Sequence, residues 1–387
     1  MLTLLLFLAV LSVLVLIHEL GHYVAARIFG VKAEEFGFGF PPRAIGFVKV
    51  NGKWKRVNAA DRASYAGTIW SLNWLPLGGF VRLKGEEGDH EHDRDSYLSK
   101  PIWQRALILV AGVLMNWLLA AIIFSTAFTV GVPVQTDQLP KGAIVHDEKV
   151  QIMEVLPKSA AESVGIQVGD YLSSVNGVAV AHIAEVQLLI ASHASDTAPM
   201  RIELARNHHT ETVSVKAAYL AALKRPGLGV SLADTGNVRF PWPQAITQGF
   251  ATTWQYTELI ILGIVGMVRD LIVTHRVTAD VAGPVGIAVM TGRIAHQSAW
   301  AVVQFAAMLS LNLAVINFLP IPALDGGRAL FIAIESLRRR KINPKREALI
   351  HQIGLIVLLV LVAIVTVHDL RQYGGIIWRG LKRVVGL

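Results

Sequence analysis

Long apolar stretches dominate the pattern of hydrophobic and polar positions along this chain of 387 residues. With their flanks, four of them reach the roughly 20 residues that an α-helix needs to cross the apolar core of a bilayer. They cover residues 2–27, 102–132, 300–319, and 354–367 with its flanks. We interpret the first as a retained span, because no basic segment precedes it and no small-residue cleavage site follows it. The pattern predicts a polytopic α-helical membrane protein with about four transmembrane helices.

A fifth apolar stretch, residues 245–273, is interrupted by polar and charged side chains. These are Gln248, Gln255, Glu258, Arg269 and Asp270. Such a composition is typical of an amphipathic segment that lies on or against the membrane. Residues 28–100 and the loop 337–346 are rich in Lys and Arg, which favours the cytoplasmic side for both. Residues 135–240 should then lie on the opposite side.

Short alternating runs of apolar and polar residues occupy the segment 135–240. Residues 150–155, 200–204 and 212–215 alternate in the way that predicts strands, and Asn176-Gly177 predicts a hairpin turn. Ser159 is placed to cap a short helix. We therefore divide the chain into an N-terminal membrane core, an inserted β-rich domain, a membrane-associated segment and a C-terminal membrane core. Their predicted bounds are 1–134, 135–232, 233–298 and 299–387.

The amino-acid composition limits the kinds of metal site and cross-link that this chain can form. The chain is 53% hydrophobic, contains no cysteine and has a formal net charge of +8. Disulfides and thiolate metal sites are therefore excluded, and any metal must bind to His, Asp or Glu. In a membrane protein, the positive surplus serves first for orientation and for contact with anionic lipid. Basic stretches interleaved with aromatic residues are absent, so we do not expect nucleic-acid binding.

The first predicted span contains the sequence His18-Glu19-Leu20-Gly21-His22. Residues four apart share one face of a helix, so His18 and His22 can bind one metal ion from the same side. Glu19 lies between them, where it can accept a proton from a metal-bound water molecule. The alternative is a chance match in a helix whose polar residues only contact neighbouring helices. Ionisable groups inside a span are costly and by default functional, which favours the metal site.

A catalytic zinc site with two histidines needs a third protein ligand and leaves an open position for water. The segment 317–327 offers Asp325 at the end of a predicted span, where Pro320 and Pro322 cannot continue the helix. On its own, however, Asp-Gly-Gly would only mark a turn.

The depths of the two motifs are compatible with one shared site. A helix rises about 1.5 Å per residue, so His18 lies about 24 Å beyond Leu2, and Phe318 about 27 Å beyond Trp300. Each motif therefore lies toward the far end of its span. The two ends share a membrane side only if an even number of crossings separates them. The spans 102–132 and 300–319 supply two, so residues 245–273 should not cross.

Together, the His18–His22 motif and the segment 317–327 resemble the site-2 protease family of intramembrane zinc metalloproteases, in its bacterial RseP-like branch. The resemblance extends over nearly the whole chain. Further marks are residues 76–81, Gly112 with Asn116, and residues 283–287. The inserted segment closely resembles a bacterial PDZ domain at residues 159–162, 165–170 and 175–177. One such domain is visible here, whereas the best-known enterobacterial members carry two in tandem.

The resemblance implies Zn²⁺ as the cofactor, with His18, His22 and Asp325 as ligands and Glu19 as the residue that activates the water. It also implies a membrane-associated β-loop that presents the substrate as an extended strand, because a helical substrate hides its amides from attack. Residues 36–40 and 77–81 are the candidates for this loop. The substrate-binding residues implied by the family pattern are Asn317, Gly78, Gly79 and Asn116.

The function implied by the resemblance is regulated intramembrane proteolysis of single-span membrane proteins after their ectodomains have been trimmed. Expected partners are such substrates (anti-sigma factors or signal-peptide remnants among them), the lipid bilayer, and chain ends bound by the PDZ domain. The expected location is the bacterial inner membrane, with the PDZ domain extracytoplasmic and the active site toward the cytoplasm. Two alternatives stay open: a non-catalytic membrane scaffold that displays a PDZ domain, and a membrane-anchored zinc protease acting on surface-exposed chains.

The remaining histidines are weaker candidates for metal binding. His90 and His92 are predicted to lie in a solvated acidic loop, and His208-His209 to cap a hairpin. The others flank predicted spans and are expected to mark interfaces rather than ligands: His275, His296, His351 and His368.

Overall fold

The computed structural model describes most of the chain, in two compact units. The described residues are 2–59, 61, 65–86, 90, 92–137, 139–157, 159–193, 198–206, 209–216, 218–220, 225–275, 282–295, 298–340 and 342–385. The first unit combines Met1–Phe124 with Phe250–Leu387, and the second is Ser125–Gly249.

Nine α-helices lie within these described ranges. They are α1 Leu2–Ile28, α2 Ile102–Val130, α3 Ala160–Ser163, α4 Ile183–Ser192, α5 Trp242–Thr274, α6 Pro284–Ala295, α7 Ala299–Phe318, α8 Asp325–Arg338 and α9 Pro344–Val385. Among the described residues, four helices are long and apolar enough to cross a membrane: α1, α2, α7 and α9. These are the four that the sequence predicts. The apolar part of α9 is longer than predicted, over Lys345–Gly375, and α5 is not among the four.

Twelve strands lie in the same described ranges. They are β1 Ala33–Val50, β2 Lys53–Val57, β3 Ile69–Leu83, β4 Val132–Gln135, β5 Ile144–Val155, β6 Tyr171–Val175, β7 Val178–Ala179, β8 Met200–Arg206, β9 His209–Val215, β10 Ala218–Leu220, β11 Arg225–Gly227 and β12 Val230–Arg239. They form a three-stranded sheet in the first unit and, in the second, a seven-stranded sheet and the β10–β11 pair.

The second unit is built on the antiparallel order β4-β12-β5-β6-β8-β9, with β7 paired to β6. Its core consists of inward-facing strand residues such as Val150, Ile152 and Ile202. Asn176 and Gly177 have φ angles of 50° and 81° at the β6–β7 turn, which is the left-handed geometry that a two-residue hairpin requires. The unit is therefore β-rich, as the alternation predicts. The Ser159 hydroxyl caps α3 by accepting from the Glu162 amide at 3.2 Å, also as predicted.

The sheet of the first unit is folded back on itself. Phe36 of β1 pairs with both Val81 and Trp70 of β3, so the beginning of β1 lies between the two halves of β3. The two glycine-containing segments expected to form the β-loop, residues 36–40 and 77–81, are thus neighbours in one sheet. The end of β3 lies along α1, because the Gly78 amide donates to the Ser12 hydroxyl at 3.3 Å.

Small residues allow the helices of the first unit to approach closely. A Cβ at Gly21 on α1 would lie 2.3 Å from the Ala111 carbonyl oxygen of α2. A Cβ at Gly326 on α8 would lie 2.3 Å from the Phe318 carbonyl oxygen at the end of α7. Both contacts require glycine, and both lie next to the residues that form the site described below.

Candidate metal centre

Three side chains from two distant parts of the chain converge on one point. His18 and His22 lie on the same face of α1, and Asp325 is the first residue of α8, 307 positions after His18. His18 Nε2 lies 2.8 Å from Asp325 Oδ2, and His22 Nε2 lies 3.3 Å from the same oxygen. The two Nε2 atoms are 3.1 Å apart. Among the described residues, this is the group of His and acidic side chains that could hold a metal ion.

The chemistry and spacing of these donors fit zinc. Ligand atoms at 2.0–2.1 Å from a tetrahedral zinc ion lie about 3.3 Å from one another, close to the three separations observed. Two imidazole nitrogens and one carboxylate oxygen form a known type of catalytic zinc site, in which the fourth position is open to water. His18 and His22 are both buried, so the ion would be held away from bulk solvent.

The ring orientations of the two histidines are fixed from α2. His22 Nδ1 lies 2.8 Å from the Ile108 carbonyl oxygen and donates its proton there, which leaves Nε2 unprotonated and free to bind a metal. His18 Nδ1 lies 3.4 Å from the amide nitrogen of Asn116. Asn116 is fully buried, and the Asn116 amide oxygen has no hydrogen-bond partner among the described residues.

Gly112 shapes the wall behind the ligands. A Cβ at this position would lie 2.4 Å from His22 Nε2 and 3.0 Å from His18 Cε1. Any side chain larger than hydrogen would therefore overlap the ligand rings themselves.

Glu19 is held next to this group by the sheet. Its Oε2 accepts a hydrogen bond from the Val81 amide of β3 at 3.1 Å. This is one of the direct links between α1 and the glycine-containing end of β3. It fixes one carboxylate oxygen and leaves Oε1 as the second proton acceptor.

Charged and ionisable side chains surround the first residues of α8. Asp325 is the first residue of α8, and its Oδ2 faces the Nε2 atoms of both His18 and His22. One helical turn later, Arg328 donates to Glu86 in the turn that follows β3. Burial would lower the pKa of Arg328, and the charge and hydrogen bond of Glu86 raise it overall.

A cavity of about 1240 Å³ adjoins the three converging residues. Its lining includes Glu19, His22 and Asp325, and also charged residues that sequence reasoning did not single out: Glu86, Arg105, Arg328, Glu335 and Glu347. Two of these, Arg105 and Glu335, form an ion pair at 3.0 Å. The cavity is larger than the roughly 300–1,000 Å³ that is usual for a small-molecule site.

The residues predicted to bind substrate take different positions. Asn317 Nδ2 lies 3.4 Å from His18 Nε2, beside the converging donors. Gly78 and Gly79 lie on the part of β3 that runs along α1, and a Cβ at Gly79 would lie 3.1 Å from a methyl carbon of Leu16. Asn116, in contrast, is buried behind His18. The substrate-binding roles of these residues stay predictions.

The remaining histidines are distributed around the molecule. His90 ion-pairs with Asp93 at 3.5 Å in an exposed turn, and His351 contacts the turn before α8. His209 begins β9, whereas its predicted hairpin partner His208 and the span-flanking His296 lie outside the described residues.

The family model and the relatives that match this chain agree on one class of protein, the peptidases. The sequence model of peptidase family M50 matches residues 6–361. The chain is 27% identical to zinc metalloprotease RasP of Geobacillus kaustophilus, over 95% of this chain and 97% of that protein. It is 30% identical to a Rhizobium meliloti protein that also carries a zinc metalloprotease name, over 95% and 96% of the two chains.

A solved structure resembles part of the chain. The PDZ domain of the SdrC-like protein of Listeria monocytogenes is 23% identical, and the match covers 23% of this chain and 92% of that one, with a TM-score of 0.21.

Proposed function

The chain belongs to peptidase family M50 and is a zinc metalloprotease, and from that premise we propose that it cleaves single-span membrane proteins within the bilayer. The observation that carries the proposal is the convergence of His18 and His22, within the apolar helix α1, with Asp325, seven residues after the end of the apolar helix α7. Glu19 lies beside them. In the proposal, trimming of the substrate ectodomain precedes this cleavage.

His18, His22 and Asp325 would hold the zinc ion, which when bound polarises a water molecule and lowers its pKa. Glu19 would accept the water proton at Oε1, since Oε2 is occupied by the Val81 amide. Glu19 could then deliver this proton to the nitrogen that leaves as the peptide bond breaks.

We assign Asn116 to the support of His18. With Nε2 of His18 directed at the metal, its proton must be on Nδ1, and that proton needs an acceptor. Exchanging the oxygen and nitrogen of the Asn116 amide supplies the acceptor. It also gives a hydrogen bond to Oδ1, which has no partner within the part of the chain that the structure describes. Gly78, Gly79 and Asn317 would instead contact the substrate backbone.

The position of β3 supports extended presentation of the substrate. The Gly78–Val81 part of this strand runs past Ser12 and Glu19 on α1, so a chain aligned with it would pass the proposed zinc position. A strand exposes its amides to attack, whereas a helix does not.

The proposed location is the bacterial inner membrane, with the site toward the cytoplasm and the second unit, as a PDZ domain, outside. Clusters of Lys and Arg in residues 28–100 and 337–346 support this orientation. The convergence of His18 and His22 with Asp325 supports an even number of crossings between them, which α2 and α7 supply if α5 does not cross.

Glu19→Gln tests the mechanism. We expect it to keep zinc but to lose proteolysis by at least about 10²-fold, because the amide cannot accept the water proton. The assay is cleavage of a single-span reporter, with zinc content measured on the same preparation. Glu258→Gln, on an exposed position of α5, is the matched control and should cleave normally. Near-normal cleavage by Glu19→Gln would show that the proposed mechanism is wrong.

Asp325→Ala tests the ligand set separately. We expect loss of zinc after dialysis as well as loss of activity, because two histidines alone leave the ion without its carboxylate. Full zinc stoichiometry in this variant would exclude Asp325 from the ligands and would leave the Glu19 result to be judged on its own.

A further inference from the structure

The turn between α7 and α8 contains a strained residue two positions before Asp325. Ala323 has a φ of 80°, in the left-handed region that residues with a Cβ rarely adopt. Such a conformation is unfavourable for a residue with a Cβ and persists only where surrounding contacts impose it. Something must therefore hold this turn, and with it the direction in which α8 and Asp325 begin.

Within the turn, the Leu324 amide donates to the Ile321 carbonyl at 3.2 Å, and a second contact comes from α9. The Ala323 amide donates a hydrogen bond to Nδ1 of His351 at 2.9 Å. One turn further along α9, a Cβ at Gly354 would lie 2.4 Å from Cβ of Pro322, so the helix is packed directly against the turn. The His351 ring also lies 5.4 Å from the ring of Phe331 on α8. His351 thus contacts both the strained turn and the helix that begins with Asp325.

The tautomer of His351 follows from this hydrogen bond. Because Nδ1 is the acceptor, the proton of the neutral ring is on Nε2. That atom is buried and has no hydrogen-bond partner among the residues that the structure describes. His351 and Ala323 both line the cavity that adjoins Glu19 and His22. A buried polar group without a partner is costly, so the presence of a histidine here calls for an explanation.

We propose that His351 is a positioning residue for the metal site: its Nδ1 holds Ala323 in the left-handed conformation, which directs the Asp325 carboxylate toward His18 and His22. This inference rests on the proposed function, because it takes Asp325 as a zinc ligand. It assigns His351 a role at the metal site, where the sequence predicts only an interface position.

Four variants of the full-length protein test the proposal. His351→Leu keeps the apolar bulk but removes the acceptor, and we expect zinc affinity to fall about 10–100-fold. His351→Asn places an amide oxygen at the same number of bonds from Cα as Nδ1, and should keep most of the affinity. In the double variant His351→Leu with Ala323→Gly, glycine adopts positive φ without strain and should restore binding. His368→Leu, at an exposed position of the same helix, is the control and should bind as wild type.

Two readouts separate positioning from general damage. Zinc affinity is measured by competition with a chelator, and the visible spectrum of the Co²⁺-substituted protein reports the ligand geometry. We expect an altered Co²⁺ spectrum for His351→Leu and a wild-type spectrum for His351→Asn and the double variant. Wild-type affinity and spectrum in His351→Leu would overturn the inference, as would failure of both rescues. Asp325→Ala is run alongside: if it keeps zinc, the proposed ligand set fails, whatever His351 does.

Discussion

At the scale of single residues, the metal site depends on glycines, which have no side chain, as much as on the ligands. Gly112 leaves room for the rings of His18 and His22, and Gly21 lets α1 approach the Ala111 carbonyl of α2. The close approach allows the Ile108 carbonyl to accept from His22 Nδ1. The geometry of the donors is thus set by helix contact, not by the His-Glu-x-x-His spacing alone.

Gly112→Ala should therefore disable the site without touching a ligand. Its methyl group would lie 2.4 Å from His22 Nε2, so the ring must move and the three donors can no longer share one ion. We expect a fall in zinc affinity of at least about 10-fold, in the range of changes to groups that orient ligands. Chelator competition measures it. Gly263→Ala on α5, where the added methyl meets open space, should leave zinc binding unchanged.

The local part of the site could be predicted from the sequence, and the distant part could not be derived from spacing. His18 and His22 share a helix face because of an i, i+4 periodicity that any helix imposes. Asp325 lies 307 positions from His18, so its prediction as a ligand required the family resemblance and the count of membrane crossings. No side-chain pattern marks the role of Ile108, because it acts through its backbone carbonyl. The same holds for His351, because it acts through the backbone of Ala323.

At the scale of elements, the long helices were predictable and the folded-back sheet was not. Apolar runs of about 20 residues predict a helix by themselves, whereas the double pairing of Phe36 with Val81 and Trp70 depends on long-range contacts. The second unit shows the same contrast. Asp170 follows a predictable turn, but its partner Arg206 lies 36 positions away on β8.

The Asp170–Arg206 pair predicts how stability of the second unit depends on pH. Burial would raise the pKa of Asp170, but two hydrogen bonds from Arg206 at 2.6 Å and one from the Gln167 amide lower it. A carboxyl with a lowered folded-state pKa stabilises the fold above its unfolded pKa of about 3.9 and loses that contribution as the pH falls through the folded value. Asp170→Asn should therefore destabilise the unit at pH 7 by about 1.5–3 kcal/mol, and by less at pH 3, which lies below the unfolded pKa.

Hydrogen exchange of β6 and β8 amides in the full-length protein measures this effect, after correction for the intrinsic pH dependence of exchange. Asp147→Asn replaces an exposed aspartate of the same unit and should leave the exchange unchanged. An equal loss of protection by Asp170→Asn at both pH values would show that the charge of Asp170 is not what stabilises the fold.

At the scale of the whole molecule, the chain separates the proposed chemistry from a second unit that contributes none of the converging donors. His18, Glu19, His22 and Asp325 all belong to the first unit. Alternating runs replace long apolar ones between residues 135 and 240, and the inserted domain with bounds 135–232 stays a prediction from this pattern. We predict that the second unit filters substrates by size or docks them, and takes no part in bond cleavage.

A deletion tests this division of roles between the two units, and the pairing of β4 with β12 determines where the chain can be cut. Gln135 of β4 lies opposite Thr235 of β12, and the Thr136 amide donates to the Asp234 carbonyl at 2.9 Å. Replacing residues 137–233 with a two-residue Asn-Gly turn would therefore close β4 and the rest of β12 as a hairpin. Val238, Phe240 and Ala245 keep their contacts with Phe128 and Val134, although the deletion removes the other members of that apolar cluster, Leu139, Ala143 and Val145. The short hairpin would then connect the end of α2 to the beginning of α5, as the second unit does in the full chain.

We expect the shortened protein to bind zinc and to cleave a short, pre-trimmed substrate at a rate close to that of the full chain. It should also cleave a single-span substrate that still carries a folded ectodomain, which the full chain should reject. Introducing Glu19→Gln into the shortened protein must abolish both reactions, which excludes a contaminating protease. If the shortened protein folds and binds zinc but cleaves neither substrate, the second unit is needed for catalysis. If it continues to reject the folded ectodomain, exclusion by size resides in the first unit, because the remaining hairpin is too small to act as a filter.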